Sequence, residues 1–407
     1  MPLLSVFNTG LLHSLKFQQT KQVFGLMMLL VFLSINANAL DLTKQNFNYL
    51  YDPYSPVRIR HKITQSGSDF TLYIMLNLKN PLRPENAFVM DILAQNGYKD
   101  KKEIVLDTDL VKRDSTRRLI LFKYEFNVEP QYDLLVGSFL INNVYYYYDI
   151  PVNGGLEFPL PQVVPLKENG WPYFDYYIKK GNTLNFDREV YTFQYDDQFG
   201  TARPPMSSSG EPKPNTIRID TSFRANMYET ERERVLSFVQ TDSSSNSGCS
   251  FLTVSPYFPK FRRVDDLAKT VLYLCKTEEY DAIQNAKEKK KAFDRFWISV
   301  IVSPDRARSV LKRYYHNVTL ANSLFTDYKE GWRTDRGMIL IIYGYPKEVT
   351  RTDEEEIWTY SINGKKQNFN FAKVPNLFVQ HHYVLVRDKD LSKVWLNEVG
   401  KWRKGNM

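Results

Sequence analysis

Near residue 263 the chain changes period, and that change constrains its fold more than any other feature. Before it, apolar residues recur at every second position; after it, they recur every three or four. Asp69–Leu78 alternates, with Phe70, Leu72, Ile74, Leu76 and Leu78 on one face, and Arg118–Phe126 repeats the pattern. Tyr132–Ile141 and Val144–Ile150 flank Asn142-Asn143, a hairpin signal because Asn tolerates positive φ. Beyond the change, Leu267, Val271, Leu274 and Cys275 share a helical face, and Phe293, Phe296, Trp297 and Val300 share another. A chain patterned this way is neither one continuous sheet nor one bundle. The prediction is a multidomain α+β protein, with two antiparallel β-sandwich-like units followed by a mixed helical and β unit.

The N-terminus sets the compartment expected. Lys16 and Lys21 precede the apolar run Val23–Leu33, which is followed by Ala37-Asn38-Ala39. This is the layout of a secretory leader cleaved after Ala39, and eleven apolar residues are too few to span a bilayer. The organisation predicted is 1–39 leader, 40–155 immunoglobulin-like β-sandwich, 156–261 second β-rich unit, and 262–407 helices then sheet. The 156–261 unit carries a Pro-, Ser- and Gly-rich loop over 200–215 that resists regular pairing. In the Tyr145–Tyr148 run, strand geometry turns two rings to the core and two outward.

The net charge of +8 would fall to +6 without residues 1–39, which is mild for a chain of 407 residues and does not call for nucleic acid. Cys249 and Cys275 form a candidate disulfide in an oxidising compartment, the alternative being two separately buried thiols. The sequence holds no H-E-x-x-H, G-x-S-x-G, Walker loop or Cys-x-x-Cys. His381-His382 would point to opposite faces of a strand, a poor chelate. No cofactor or metal is expected.

The last unit centres on Asn322–Val349. Ser303-Pro304-Asp305 opens a helix expected to run from Asp305 to Glu330. Gly331 is expected at positive φ after it, Trp332 folded back on Phe325 or Tyr328, and Asp335 accepting turn N–H groups. Gly337 is expected to supply a second unusual dihedral before a buried strand, Met338–Tyr343, that Gly344 ends.

Gly331-Trp332-Arg333-Thr334-Asp335, followed by Arg336-Gly337, resembles the signature of the GWxTD-domain family, envelope proteins of Bacteroidetes type. The resemblance extends through Phe296-Trp297, Tyr314, Ala321-Asn322, Tyr343–Pro346, Glu356–Tyr360 and Trp402–Gly405. It departs at Ile298–Pro304, where the family carries a charged Arg-Asp-Pro segment, and at Gly344-Tyr345-Pro346, where Gly-Pro-Pro is usual. The resemblance implies an envelope location but carries over no catalytic residues. In that context Asp114-Ser115-Thr116 matches a short O-glycan acceptor pattern at Ser115, while the Asn317 sequon falls inside a predicted helix.

The function expected is therefore that of a non-enzymatic interaction protein, periplasmic and peripheral to the outer membrane. It would bind protein partners of the envelope, such as an outer-membrane β-barrel complex in barrel assembly or type IX secretion. The alternative is a glycan- or peptidoglycan-acting protein with a pocket near Trp332, Asp335 and Trp358.

Overall fold

The computed structural model describes residues 40–81, 90–100, 104–152, 158–206, 217–301 and 304–406. The expected leader, 1–39, and most of the 200–215 loop lie outside these residues. The first unit is a sandwich of two four-stranded sheets. Its strands are β1 (Val57–Ser66), β2 (Asp69–Leu78), β3 (Met90–Gln95), β4 (Ile104–Val105), β5 (Asp109–Ser115), β6 (Leu119–Asn127), β7 (Leu134–Ile141) and β8 (Val144–Pro151). The sheets run β1-β2-β6-β5 and β4-β3-β7-β8, antiparallel throughout. The alternating residues Phe70, Leu72, Ile74, Leu76 and Leu78 of β2 face Ile92, Leu135, Phe139 and Ile150 in one core. Asn142 and Asn143 take φ of 51° and 61° and close the β7–β8 hairpin, as a two-residue loop of this hand requires. Of the tyrosine run, Tyr146 and Tyr148 pack on the sandwich core, Tyr147 packs on the C-terminal unit and Tyr145 is exposed.

The second sheet holds β9 (Tyr177–Lys179), β10 (Thr183–Tyr195), β11 (Thr221–Glu229), β12 (Val235–Gln240) and β13 (Cys249–Val254), in the order β11-β10-β12-β13-β9. Only the β13–β9 pairing is parallel.

Helices α1 (Val264–Thr270), α2 (Thr277–Gln284), α3 (Lys289–Val300) and α4 (Pro304–Phe325) follow. Next come α5 (Asp335–Tyr343), the meander β14 (Glu348–Arg351), β15 (Glu355–Ile362), β16 (Lys365–Asn376) and β17 (Val379–Leu385), and α6 (Lys389–Lys404). The described residues form an α+β protein.

Three expectations fail here. Met338–Tyr343 is helix, not strand: Thr334 caps it, Asp335 sits in its first turn and Gly344 at φ 77° stops it. It lacks alternation because it is enclosed, with Met338 through Ile342 all fully buried between α4, α6 and the meander. The long helix stops at Phe325 rather than Glu330. Cys249 and Cys275 are free thiols. Cys249 belongs to the core under β10 and β12, whereas Cys275 packs on the C-terminal core, so each thiol meets apolar neighbours.

Residues 42–51, assigned from sequence to the first sandwich, instead cross onto the C-terminal unit. Leu42, Phe47 and Tyr51 share its core with Trp358 and Tyr383. Phe47 N–H donates to the Val349 carbonyl at 2.8 Å, and Asn48 Nδ2 donates to the Lys347 carbonyl at 2.8 Å. This segment forms a strap along the β14 edge.

Candidate functional site

Every residue of the Gly331–Gly337 corner is buried except Arg336, which is half-buried. Gly331 does not adopt the positive φ expected of it. A Cβ there would lie 2.1 Å from the Ala321 carbonyl oxygen, so the requirement is for close backbone approach. Gly337 follows the same rule, with a hypothetical Cβ 1.9 Å from the Gly331 carbonyl oxygen. Thr334 ties the two together: its Oγ1 donates to the Gly331 carbonyl at 2.8 Å and accepts from Gly337 N–H at 3.0 Å.

The helix α4 ends early because its last turn serves this corner. Asn322 Oδ1 accepts from Trp332 N–H at 3.0 Å, and Thr326 Oγ1 accepts from Gly331 N–H at 2.9 Å. Trp332 does not rest on Phe325 or Tyr328 as expected. Its ring meets Tyr273 edge-on, and its Nε1–H donates to Glu330 at 2.8 Å. Burial pushes the Glu330 carboxyl up from its ordinary range, with Trp332 and Arg234 opposing that rise.

The charged members reach outward from the corner to other segments. Arg333 donates to both oxygens of Asp197, at 2.7 and 2.8 Å, and to the Phe199 carbonyl, while its own carbonyl accepts from Ala202 N–H at 2.8 Å. The start of the 200–215 loop is thus held on the motif. Asp335 accepts no turn N–H. It accepts from Leu385 N–H at 2.9 Å and from Arg387 at 2.7 Å, which joins the start of α5 to the end of β17. Arg336 lies over the Tyr383 ring at 3.9 Å and approaches Glu356 at 3.6 Å.

Beyond Arg336 lies a buried ionic network that no sequence pattern announced. Arg351 donates to Asp149 at 2.5 Å, to Glu356 at 2.7 Å and to the Tyr51 hydroxyl at 2.7 Å. Tyr51 in turn donates to Glu356 at 2.6 Å, and Trp358 Nε1–H to the other Glu356 oxygen at 2.7 Å. Tyr98 donates to Asp149. Burial alone would raise both carboxyls, but Arg351, with Lys373 beside Asp149 and Arg336 beside Glu356, holds each below its usual range. The only hint in the sequence is Glu356 on the buried phase of an alternating strand, next to Trp358 and Tyr360. The network joins strap, sandwich and C-terminal unit through one guanidinium.

A cleft of about 240 Å³ opens beside this network, walled by β1 and β8 of the sandwich, by Phe174–Tyr177, and by the ends of α4 and β17. Its charges are largely answered within it: Arg60 pairs with Asp175, and Arg351 with Asp149. His61 lies there with Nδ1 3.0 Å from the Tyr148 hydroxyl, and burial depresses it to about 4. Trp332, Asp335 and Trp358, the expected walls of a catalytic pocket, do not line this cleft and are 3%, 1% and 0% exposed.

Among the described residues no group of three or more His, Cys, Asp or Glu could hold a metal ion. His382 is buried against Tyr328 and 3.9 Å from Asp327. Asn317 is buried and donates to the Ile341 carbonyl at 2.9 Å. Ser115 ends the exposed edge strand β5.

Comparison with known proteins agrees with the corner's identity. Residues 235–404 match the family model of the GWxTD domain, so this chain carries a GWxTD domain over those residues. The match begins at β12, whose core residues Leu236 and Phe238 pack with Tyr328 and Phe378 of the C-terminal unit. No curated protein and no solved structure matches the chain.

Proposed function

We propose that this GWxTD-domain protein is a non-catalytic scaffold of the cell envelope, an accessory subunit of an assembly or protein-export machine peripheral to the outer membrane. One observation carries the reading: the signature residues are engaged in internal contacts. Arg333 and Asp335 are paired to Asp197 and Arg387, and Gly331 and Gly337 let backbones meet. A corner built this way fixes the relative placement of three β-rich parts and leaves their outer faces to bind partners. The leader-like segment at Lys16–Ala39 supports the location. Barrel assembly and type IX secretion are the machines whose setting fits.

The test is affinity purification of the tagged protein from its host's membranes in mild detergent, with mass spectrometry. Stoichiometric recovery with an outer-membrane barrel or secretion component is expected. Recovery alone, as a monomer, would overturn the reading.

A further inference from the structure

Beyond Asp305 in its first turn, the charged residues of the long helix α4 are all basic. Between Asp305 and Asp327 the sequence has Arg306, Arg308, Lys312, Arg313 and His316 and no acidic residue. Its buried stripe, Val310, Tyr314, Val318, Ala321 and Phe325, faces the core. The opposite stripe, with Lys312, Arg313 and His316 at helical spacing, is exposed.

Those three side chains and Lys260 rim an open groove of about 700 Å³. Its floor is apolar, built on Phe261, Leu267 and Tyr315, and no carboxylate lines it. Among the described residues, none of Lys260, Lys312 and Arg313 takes part in an ion pair. The neighbouring lysines of α3 behave differently: Lys289, Lys290 and Lys291 are paired with Asp265, Asp294 and Glu288. The groove cations therefore lack the local neutralisation that an ordinary solvated helix face provides, and their mutual repulsion favours an external anion.

Exposed tyrosines flank the groove. Tyr54, 64% exposed, packs on Tyr345, 42% exposed, with ring centroids 6.3 Å apart. Tyr257, 56% exposed, sits beneath Arg262 at 4.2 Å, and Lys79 lies 5.1 Å from the Tyr54 ring. Rings with one apolar body and one wet end, beside unpaired cations, suit the headgroup layer of a bilayer.

We propose that this face docks on an anionic phospholipid leaflet, with Lys260, Lys312 and Arg313 on the lipid phosphates and the tyrosines at headgroup depth. The inference deepens the peripheral location proposed above. It is tested without the host's machinery, so the two can fail separately.

The experiment is vesicle co-sedimentation of the full chain. Vesicles of phosphatidylcholine alone are compared with vesicles containing about one third phosphatidylglycerol, across a salt series. The neutral vesicles report any contribution from an apolar leader. Binding to the anionic vesicles, weakening as salt rises, is expected. The K312Q/R313Q variant should bind about 30-fold more weakly, from about fivefold per cation near an anionic surface. The exposed K290Q/K291Q pair on α3 should bind as the parent does. Circular dichroism checks that both variants fold. Equal binding to neutral and anionic vesicles, or parental binding by K312Q/R313Q, would overturn the proposal. So would competition by millimolar glycerol phosphate, which would assign the groove to a free phosphate ester. Capture of an acidic envelope protein through these residues, with no vesicle binding, would overturn it in favour of a protein site.

Discussion

Replacing Gly337 by Ala gives the sharpest test of how the corner is built. In an ordinary helix the change is favourable, because Ala loses less backbone freedom than Gly, by about 0.5–1 kcal/mol. Gly337 is in the first turn of α5, so propensity alone predicts a stabler protein. Space predicts the reverse. The new Cβ would stand 1.9 Å from the Gly331 carbonyl oxygen and 2.8 Å from its carbon. Ordinary contact begins near 3.4 Å, so the two backbones must part by more than an ångström. Neither can yield freely. The Gly331 carbonyl is held by Thr334, and Gly331 itself is pressed on Ala321. Overpacking against side chains costs about 1–3 kcal/mol, and a fixed backbone puts G337A at or above the top of that range, about 3 kcal/mol net. For a chain of this size unfolding as one unit, that is a fall in Tm of roughly 3–4 °C. Gly400 is the internal control: it lies in α6 with nothing within 4 Å of a hypothetical Cβ, so G400A should gain up to about 1 kcal/mol. Urea unfolding followed by tryptophan fluorescence measures both. If G337A melts at or above the parent, the close-approach account of the signature glycines is wrong.

Further outcomes follow from the same contacts. W332A should lose about 3–5 kcal/mol in the same urea assay, because the ring is fully enclosed and its Nε1–H is spent on Glu330. R351M should cost about 3–5 kcal/mol, since it strands Asp149 and Glu356 in the interior, and it should loosen the strap, read as faster amide exchange over residues 42–51. His61 is depressed by burial to about 4, so the unfolded chain takes its proton first and stability should rise with pH between about 4 and 6.5. Asp149 and Glu356, held low, act in the same direction as pH falls through the carboxylate range. H61N should flatten the upper part of that slope in a Tm-against-pH series, and an unchanged slope would count against the assignment. Alkylation of the unreduced, denatured protein should label both Cys249 and Cys275, and dithiothreitol should leave Tm unchanged.

The reading from sequence succeeded where one face of an element is wet. The β2 alternation, the Asn142-Asn143 turn and the Phe293–Val300 stripe each record a boundary between core and solvent. It failed where no such boundary exists. Met338–Ile342 is enclosed on all sides, so a helix there carries no 3.6-residue signature and reads like a buried strand. The cap Thr334, the acid Asp335 and the stop Gly344 were the better guides. The corner was recognised as a motif, but its chemistry was misjudged, because close approach of Gly331 to Ala321 and Gly337 to Gly331 leaves no mark in local dihedral preference. The Arg351 network was invisible for a different reason: Tyr51, Asp149 and Glu356 come from three distant segments.

The strap has a consequence for the order in which the molecule can be completed. Its partners Lys347 and Glu356 lie about 300 residues further along the chain than Asn46 and Tyr51. A chain made or threaded from its first residue therefore presents Leu42, Phe47 and Tyr51 long before anything exists to cover them. Closing so large a ring is slow, and until it closes the sandwich hangs from a bare apolar tail. The last meander to emerge is what shelters the first segment. A truncated or stalled chain would thus advertise its incompleteness at its own beginning, where a chaperone or protease could read it.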